Sequence, residues 1–260
     1  MNNKLEKFSI GTSAFGSRVS DEKSIKIIEK QIYNGINKID TSPFYGFGYA
    51  EKNIGIAIKN FKRENLSISS KFGILPPKIS NLTRKIYPII KKIYSIPGIS
   101  SIINKNINYK KDDLLSLEQI NESIFQSLCN LNTNYLDCLF VHTNLNEYLT
   151  NPEIIDYLLD LKNKNIIKQI GVTTSKIDEG FLKLVSMHCN FIDTIQIPYK
   201  EYNEFLVQNF KINYFSIFSN KSYSEDLFIK KYHANNGNFI ILNTNLNRID
   251  KRLNYFKQIL

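Results

Sequence analysis

The sequence has few of the residues that build disulfide frameworks or metal centres. Its three cysteines, Cys129, Cys138 and Cys189, are scattered and form no Cys-x-x-Cys pair. Cys129 and Cys138 lie among apolar neighbours, which predicts buried, reduced thiols in a reducing compartment. The chain has three histidines and no ligands paired at metal spacing, so we expect no metal site.

Long apolar runs are also missing. The opening residues, MNNKLEKFSIG, contain no apolar signal core, and no stretch reaches the roughly 18 uninterrupted apolar residues of a transmembrane helix. Hydrophobic residues make up 42% of the chain and charged residues 22%, which is ordinary for a globular protein with a buried core. The sequence therefore predicts a soluble cytoplasmic protein and leaves its oligomeric state open.

Strand-like and helix-like segments alternate along the chain. The predicted strands are short β-branched runs at 7–12, 36–40, 66–71, 135–142, 167–173, 191–198, 212–219 and 238–244. The predicted helices cover 20–35, 50–62, 116–131, 151–164, 177–188, 200–210, 223–235 and 247–259. Eight strand–helix pairs predict an α/β fold, a (β/α)8 TIM barrel formed as one domain by residues 1–260. An open doubly wound sheet is the alternative, but the G-x-G-x-x-G spacing typical of its first turn is absent.

A basic segment follows the third predicted strand. Residues 74–111 carry eight Lys or Arg and no Asp or Glu, out of a net charge of +10. Such a long connection predicts an insertion, which we place at 74–115. It is read as a surface helix packed on the barrel, as a lid suited to an acidic or phosphorylated substrate, or, least favoured, as a membrane or protein contact. Nucleic acid is not an expected partner, because the segment has few aromatics and no known motif.

Polar residues stand where predicted strands two, three and four end. They are Asp40 with Tyr45, then Lys71, then His142. In a barrel these strand ends share one rim, where active sites form. A phenol is a poor proton donor at neutral pH, but an ammonium beside it stabilises tyrosinate and lowers its pKa. Paired with a carboxylate and an imidazole, this arrangement predicts acid–base chemistry between a carbonyl and an alcohol.

The same residues resemble the aldo-keto reductases, NADPH-dependent enzymes built on this barrel. The matching stretches are DTSPFYGFGYAEKNIGIAI (40–58), LSISSKFG (66–73) and LDCLFVH (136–142). They carry the family's Asp-Thr turn with its Tyr-Gly, a lysine that ends strand three and a histidine that ends strand four. The resemblance implies that Asp40, Tyr45, Lys71 and His142 are the catalytic residues.

Later stretches resemble the family's cofactor-binding segments. They are IKQIGVTTSK (167–176), IDTIQIPYKEYN (192–203) and FIILNTNLNRIDKRL (239–253). By this resemblance Gln196 would hold a nicotinamide carboxamide, Phe215 would stack on the nicotinamide ring, and Arg248 would lie near the 2′-phosphate. The same stretches add Thr173, Thr174, Asn243, Thr244 and Arg252 to the expected cofactor-binding residues. Thr12 and Ser216, which lie at the ends of the first and seventh predicted strands, complete the set of ten.

The resulting expectation is an oxidoreductase that interconverts an aldehyde or ketone and an alcohol. The expected cofactor is NADP(H), with NAD(H) left open, and the expected partner is a small carbonyl or alcohol substrate, with sugars as a weak analogy. Two alternatives stay open. One is a cofactor-binding sensor or subunit without turnover, and the other is an epimerase or eliminase that keeps its cofactor tightly bound.

Overall fold

A computed structural model describes residues 5–77, 114–217 and 237–259 of the chain. Eight parallel strands close into a barrel in sequence order, β1 to β8. They are β1 Phe8–Gly11, β2 Lys38–Asp40, β3 Ser67–Phe72, β4 Cys138–Val141, β5 Ile170–Thr173, β6 Thr194–Pro198, β7 Lys211–Phe215 and β8 Asn238–Ile241. The last strand pairs with the first, with Phe8 opposite Phe239, which confirms the barrel over the open sheet.

Helices follow the strands on the outside of the barrel. They are α1 Asp21–Tyr33, α2 Tyr49–Ala57, α3 Leu117–Leu131, α4 Leu145–Leu149, α5 Pro152–Asn163, α6 Glu179–Met187, α7 Glu204–Asn209 and α8 Ile249–Ile259. The short helix α4 was not predicted from the sequence. The predicted helix at 223–235 and nearly all of the predicted insertion lie outside the described residues and stay predictions.

The strands alternate between an outer apolar face and a polar inner face. Outward side chains such as Ile10, Ile39 and Ile68 are buried in the hydrophobic core beneath the helices. The inward positions line two cavities, one at each end of the barrel. On β4, Phe140 lies between these cavities, and a side chain at Gly171 would meet its ring at 2.5 Å. The outward residues give the strands their apolar character in the sequence. The polar inward residues line the two cavities.

The cysteine prediction is half right. Cys138 is buried inside the barrel, where burial raises the pKa of its thiol. Cys129 is exposed, because the neighbouring positions Leu128 and Leu131 on α3 take the buried face of that helix. All three cysteines are free thiols. In the part of the chain that the structure describes, no helix is long and apolar enough to cross a membrane.

Candidate active site

A cavity of about 630 Å³ opens at the carboxyl-terminal ends of the strands. Ten of the fourteen residues predicted for the site line it, namely Thr12, Asp40, Tyr45, Lys71, His142, Thr173, Thr174, Gln196, Phe215 and Ser216. Its size is typical of pockets that hold small molecules. The barrel thus brings together side chains that lie up to 204 residues apart in sequence, from Thr12 to Ser216.

An ion pair between Lys71 and Asp40 forms the floor of this cavity. The Lys71 Nζ donates to Asp40 Oδ1 at 2.7 Å and to the carbonyl oxygen of Thr41 at 2.8 Å. The two side chains are only 2% and 6% exposed. Gln196 Nε2 donates to the same Asp40 oxygen at 2.9 Å, and Thr12 Oγ1 donates to the Asp40 carbonyl at 2.9 Å. These contacts compensate a pair of charges whose burial is otherwise costly.

Tyr45 lies above this ion pair on a tight turn. The Lys71 Nζ is 5.1 Å from the centroid of the Tyr45 ring, and the His142 ring stands perpendicular to it at 6.4 Å between centroids. The turn continues through Gly46 at φ 60°, where a Cβ would lie 1.8 Å from the Phe15 carbonyl oxygen. Only glycine allows this contact, so Gly46 fixes the loop that carries the phenol.

Burial and the neighbouring opposite charge shift the pKa in opposite directions at both Tyr45 and Lys71. Burial raises the pKa of Tyr45, and the opposing effects of the Lys71 charge and hydrogen bond are smaller. The lysine thus acts in the direction that we expected, but burial outweighs it and the phenol keeps its proton at neutral pH. Burial alone would lower the pKa of Lys71, yet Asp40 and Tyr45 together raise it above its ordinary value. Lys71 is therefore a fixed positive charge.

The two polar groups of the Gln196 side chain differ in their hydrogen bonding. Its Nε2 is held by Asp40, whereas its buried Oε1 receives a hydrogen bond from no residue that the structure describes. Thr173 is buried at the end of β5. Thr174 Oγ1 instead donates to the carbonyl oxygen of Lys176 at 2.7 Å and so closes its own turn. Phe215 is half-buried at the end of β7.

The four remaining predicted residues do not line the cavity. Asn243 Nδ2 donates to Gln31 Oε1, and Arg252 Nη1 donates to Asn243 Oδ1 at 2.9 Å and to the Leu242 carbonyl at 3.0 Å. The polar groups of Asn243 and Arg252 are thus engaged within the protein. Thr244 and Arg248 are exposed just before α8.

The cavity also contains residues absent from the predicted site. They are Gly11, Ser13, Ile74, Thr143, Asn144, Leu145, Ser175, Ile240 and Leu242. Most of them directly follow or flank a strand end, and this adjacency is the sequence signal that could have identified them. Over residues 5–77, 114–217 and 237–259, no group of three or more His, Cys, Asp or Glu side chains could hold a metal ion.

A sequence model of the Aldo/keto reductase family matches residues 7–212, which is most of the chain. The chain therefore belongs to the aldo/keto reductase family. An NADH-specific methylglyoxal reductase from Escherichia coli is 30% identical over 146 residues, covering 55% of this chain and 39% of that protein. A D-arabinose 1-dehydrogenase from Saccharomyces cerevisiae is 29% identical over 167 residues, covering 63% and 39% respectively. The chain thus spans well under half the length of these two relatives.

Solved structures share the fold at low sequence identity. An aldo-keto reductase from Klebsiella pneumoniae, in complex with NADPH, superposes with a TM-score of 0.69 at 14% identity. The superposition covers 98% of this chain and 86% of that structure. An aldo-keto reductase from Bacillus halodurans gives a TM-score of 0.68 at 15% identity, covering 95% and 85%. These structures support the barrel architecture.

Proposed function

We propose that this protein is an NAD(P)H-dependent oxidoreductase that interconverts a small aldehyde or ketone and the corresponding alcohol. The observation that carries the proposal is the buried Lys71–Asp40 pair beside a protonated Tyr45 in the rim cavity. A phenol that is held protonated next to a fixed positive charge is suited to donate its proton and then to exist briefly as a phenolate.

The lining of the cavity suits a nicotinamide. The open Gln196 Oε1 is a buried acceptor for the amino group of a carboxamide, and Phe215 offers an aromatic face beside it. Thr173 adds a buried hydroxyl at the neighbouring strand end. When bound, the reduced cofactor supplies a hydride to the carbonyl carbon. We propose that these three residues bind and orient its nicotinamide.

Side chains of the protein carry out the proton transfer. Tyr45 donates its phenol proton to the carbonyl oxygen, which becomes the hydroxyl of the product. Lys71 stabilises the phenolate that remains, and Asp40 keeps the lysine charged and fixed in place. His142, half-buried beside the phenol, orients the carbonyl oxygen by a hydrogen bond. In the reverse direction the same phenolate would accept the alcohol proton.

We further propose that NADPH is the preferred cofactor. Arg248 and Thr244 are exposed next to the amino terminus of α8, where helix geometry and positive charge favour a phosphate. The cofactors named for similar proteins differ, with NADPH bound in the Klebsiella structure and NADH in the name of the Escherichia relative. The names of the two curated relatives support methylglyoxal and D-arabinose as first substrates to test.

The test compares Tyr45→Phe with the wild-type protein and with Tyr33→Phe, a phenol on α1 that is 75% exposed. Cofactor binding is measured by titration of nicotinamide fluorescence, and turnover by loss of reduced-nicotinamide absorbance with methylglyoxal. We expect Tyr45→Phe to bind the cofactor normally and to lose about 100-fold or more in kcat. We expect Tyr33→Phe to match the wild type. Full turnover by Tyr45→Phe would refute the proton-donor role.

One observation favours a second candidate, a protein that binds the cofactor without turning over a substrate. The hydroxyl of Thr174 and the amide of Asn243, both expected to hold the cofactor, are engaged within the protein. The same titration separates the two functions. Saturable cofactor binding with no turnover on methylglyoxal, D-arabinose or a wider carbonyl panel would favour the second candidate.

A further inference from the structure

A smaller cavity, of about 310 Å³, adjoins the rim cavity. Ser13 and Tyr45 line both cavities, so the proposed proton donor stands at their junction. The other residues of this side pocket come from the loop after β1 and the turn after β2, and they are Ser17, Arg18, Phe44, Gly46 and Phe47. A substrate with its carbonyl at Tyr45 therefore has room here for the rest of its chain.

The two segments that form the side pocket pack tightly on each other. After β1 the chain folds back on itself, because Gly16 N donates to the Val19 carbonyl at 3.0 Å and Val19 N donates to the Ala14 carbonyl at 3.0 Å. Gly16 has a φ of 78°, and a Cβ there would lie 3.3 Å from the Gly46 carbonyl oxygen. The loop after β1 thus rests on the turn that carries the phenol, and this contact fixes the backbone of Arg18 beside that turn.

Arg18 supplies the positive charge of the side pocket. It is exposed, and no carboxylate in the part of the chain that the structure describes forms an ion pair with it. By contrast, Arg63 pairs with Asp137 at 2.8 Å, and Arg252 donates to the Leu242 carbonyl at 3.0 Å. An unpaired guanidinium at a cavity suits an anionic ligand, because its fork of N–H groups matches the two oxygens of a carboxylate.

The remaining lining suits a short carbon chain that ends in one negative charge. Phe44 and Phe47 provide apolar surface, and no Asp or Glu among the described residues lines the pocket. Ser17 Oγ already donates to the Ala14 carbonyl at 3.3 Å, so the exposed Ser13 is the hydroxyl that remains to donate. One guanidinium balances one carboxylate, whereas a phosphate dianion would leave an excess negative charge.

We propose that the side pocket is a substrate-binding site in which Arg18 holds the carboxylate of an oxo acid. This inference rests on the proposed oxidoreductase function, and it makes the preferred substrates aldehydes or ketones that also carry a carboxylate. The carbonyl lies at Tyr45, the carbon chain lies along the aromatic residues, and the carboxylate meets Arg18 and Ser13. Arg18 is thus a specificity residue that binds the end of the substrate that does not react.

The test compares oxo acids with neutral aldehydes of the same chain length. The pairs are succinate semialdehyde with butanal and glutarate semialdehyde with pentanal, and glyceraldehyde phosphate offers a phosphate in place of the carboxylate. Turnover is followed by the loss of reduced-nicotinamide absorbance. Binding of the acids is measured separately by isothermal titration calorimetry with the oxidised cofactor present.

The variants are Arg18→Gln, the conservative Arg18→Lys and the charge control Lys23→Gln. Lys23 is exposed on α1 and lines neither cavity. Arg18 is exposed as well, so its replacement should leave the fold intact.

We expect the wild type to prefer at least one acid over its neutral aldehyde by about tenfold or more in kcat/KM. Arg18→Gln should lower this ratio by about tenfold, mainly through KM, because the carboxylate lies away from the reacting carbon. Arg18→Lys should recover part of the ratio, since it keeps the charge but loses the two-pronged contact. Lys23→Gln should retain the ratio of the wild type.

The proposal is overturned if the wild type turns over acids and aldehydes equally, if it prefers the phosphate, or if Arg18→Gln and Lys23→Gln change the ratio equally. It is also overturned if Arg18→Gln raises the KM for NADPH instead of that for the acid, which would assign Arg18 to the cofactor. If the wild type turns over no carbonyl compound, the oxidoreductase function fails and calorimetry decides the pocket by itself. Saturable binding of an acid that Arg18→Gln abolishes would then support the site, and its absence would overturn it.

Discussion

Replacing Lys71 with methionine would remove the positive member of the buried pair at the floor of the rim cavity. Methionine keeps most of the length of the side chain, so the change mainly deletes a charge. Asp40 would remain 6% exposed, with Gln196 Nε2 as the donor still facing its Oδ1 atom. Lys71→Met therefore tests how much the buried charge of Asp40 depends on its partner.

The expected loss is large because a buried charge is left uncompensated. Breaking such a pair by removing one partner costs about 3–5 kcal/mol of the free energy of unfolding. Replacing both partners by neutral groups costs much less, because no charge is then left in the interior. The double variant Asp40→Asn with Lys71→Met should accordingly recover much of the loss, with a coupling energy of up to about 3 kcal/mol.

The assay is urea unfolding of the cofactor-free protein, followed by circular dichroism, on the wild type, both single variants and the double variant. Lys164→Met is the matched control, since its pair with Asp160 has side chains that are 62% and 47% exposed. This control should leave the unfolding midpoint nearly unchanged. The reasoning is refuted if Lys71→Met loses less than about 1 kcal/mol, or if the double variant is less stable than Lys71→Met alone.

Three further predictions concern the turn, a buried carboxyl and the cofactor. Gly46→Ala should cost more than about 1 kcal/mol in urea unfolding, because its Cβ would overlap the Phe15 carbonyl at a positive φ. The matched Gly180→Ala, on α6 with no contact under 3.4 Å, should not destabilise the protein. Glu51 is fully buried and its pKa is raised by burial, so its ionisation costs the folded state stability as pH rises above about 4.5. The Tm of Glu51→Gln should therefore rise relative to the wild type between acidic and neutral pH, and a constant difference would contradict this. Arg248→Ala should lower kcat/KM for NADPH by about tenfold while sparing NADH; an equal loss for both cofactors would contradict a 2′-phosphate contact.

Much of the fold was predictable because each element carries its own local signal. The strand β4 is a run of apolar residues, and α3 is preceded by Ser116, whose capping box with Gln119 can be read from the sequence. Strand bounds were predicted within a few residues. The exposure of Cys129 was not, because an apolar neighbourhood in sequence does not say which face of a helix a residue occupies.

The candidate site was predictable at the strand ends and less so beyond them. Asp40, Lys71 and His142 end or follow strands, so the barrel alone places them on one rim. Asn243 and Arg252 lie in a segment with the expected pattern, but their polar groups contact each other. A sequence pattern shows which residue type stands at a position. The hydrogen-bond partner of a flexible polar side chain depends on which segments pack against it in the folded protein.

The sequence by itself determined the barrel, the order of its strands and the residue types at its catalytic rim, since periodicity and strand ends are local properties. Tertiary structure alone decided the balance of forces among those residues. Burial depends on the whole fold, and it raises the pKa of Tyr45 by more than the Lys71 charge lowers it, so the phenol stays protonated. Closure of the barrel likewise brings Lys7, Lys38 and Lys211 to one mouth, although they are up to about 200 residues apart in sequence. Both results follow from packing between distant segments, which sets the burial of each group and the charges beside it.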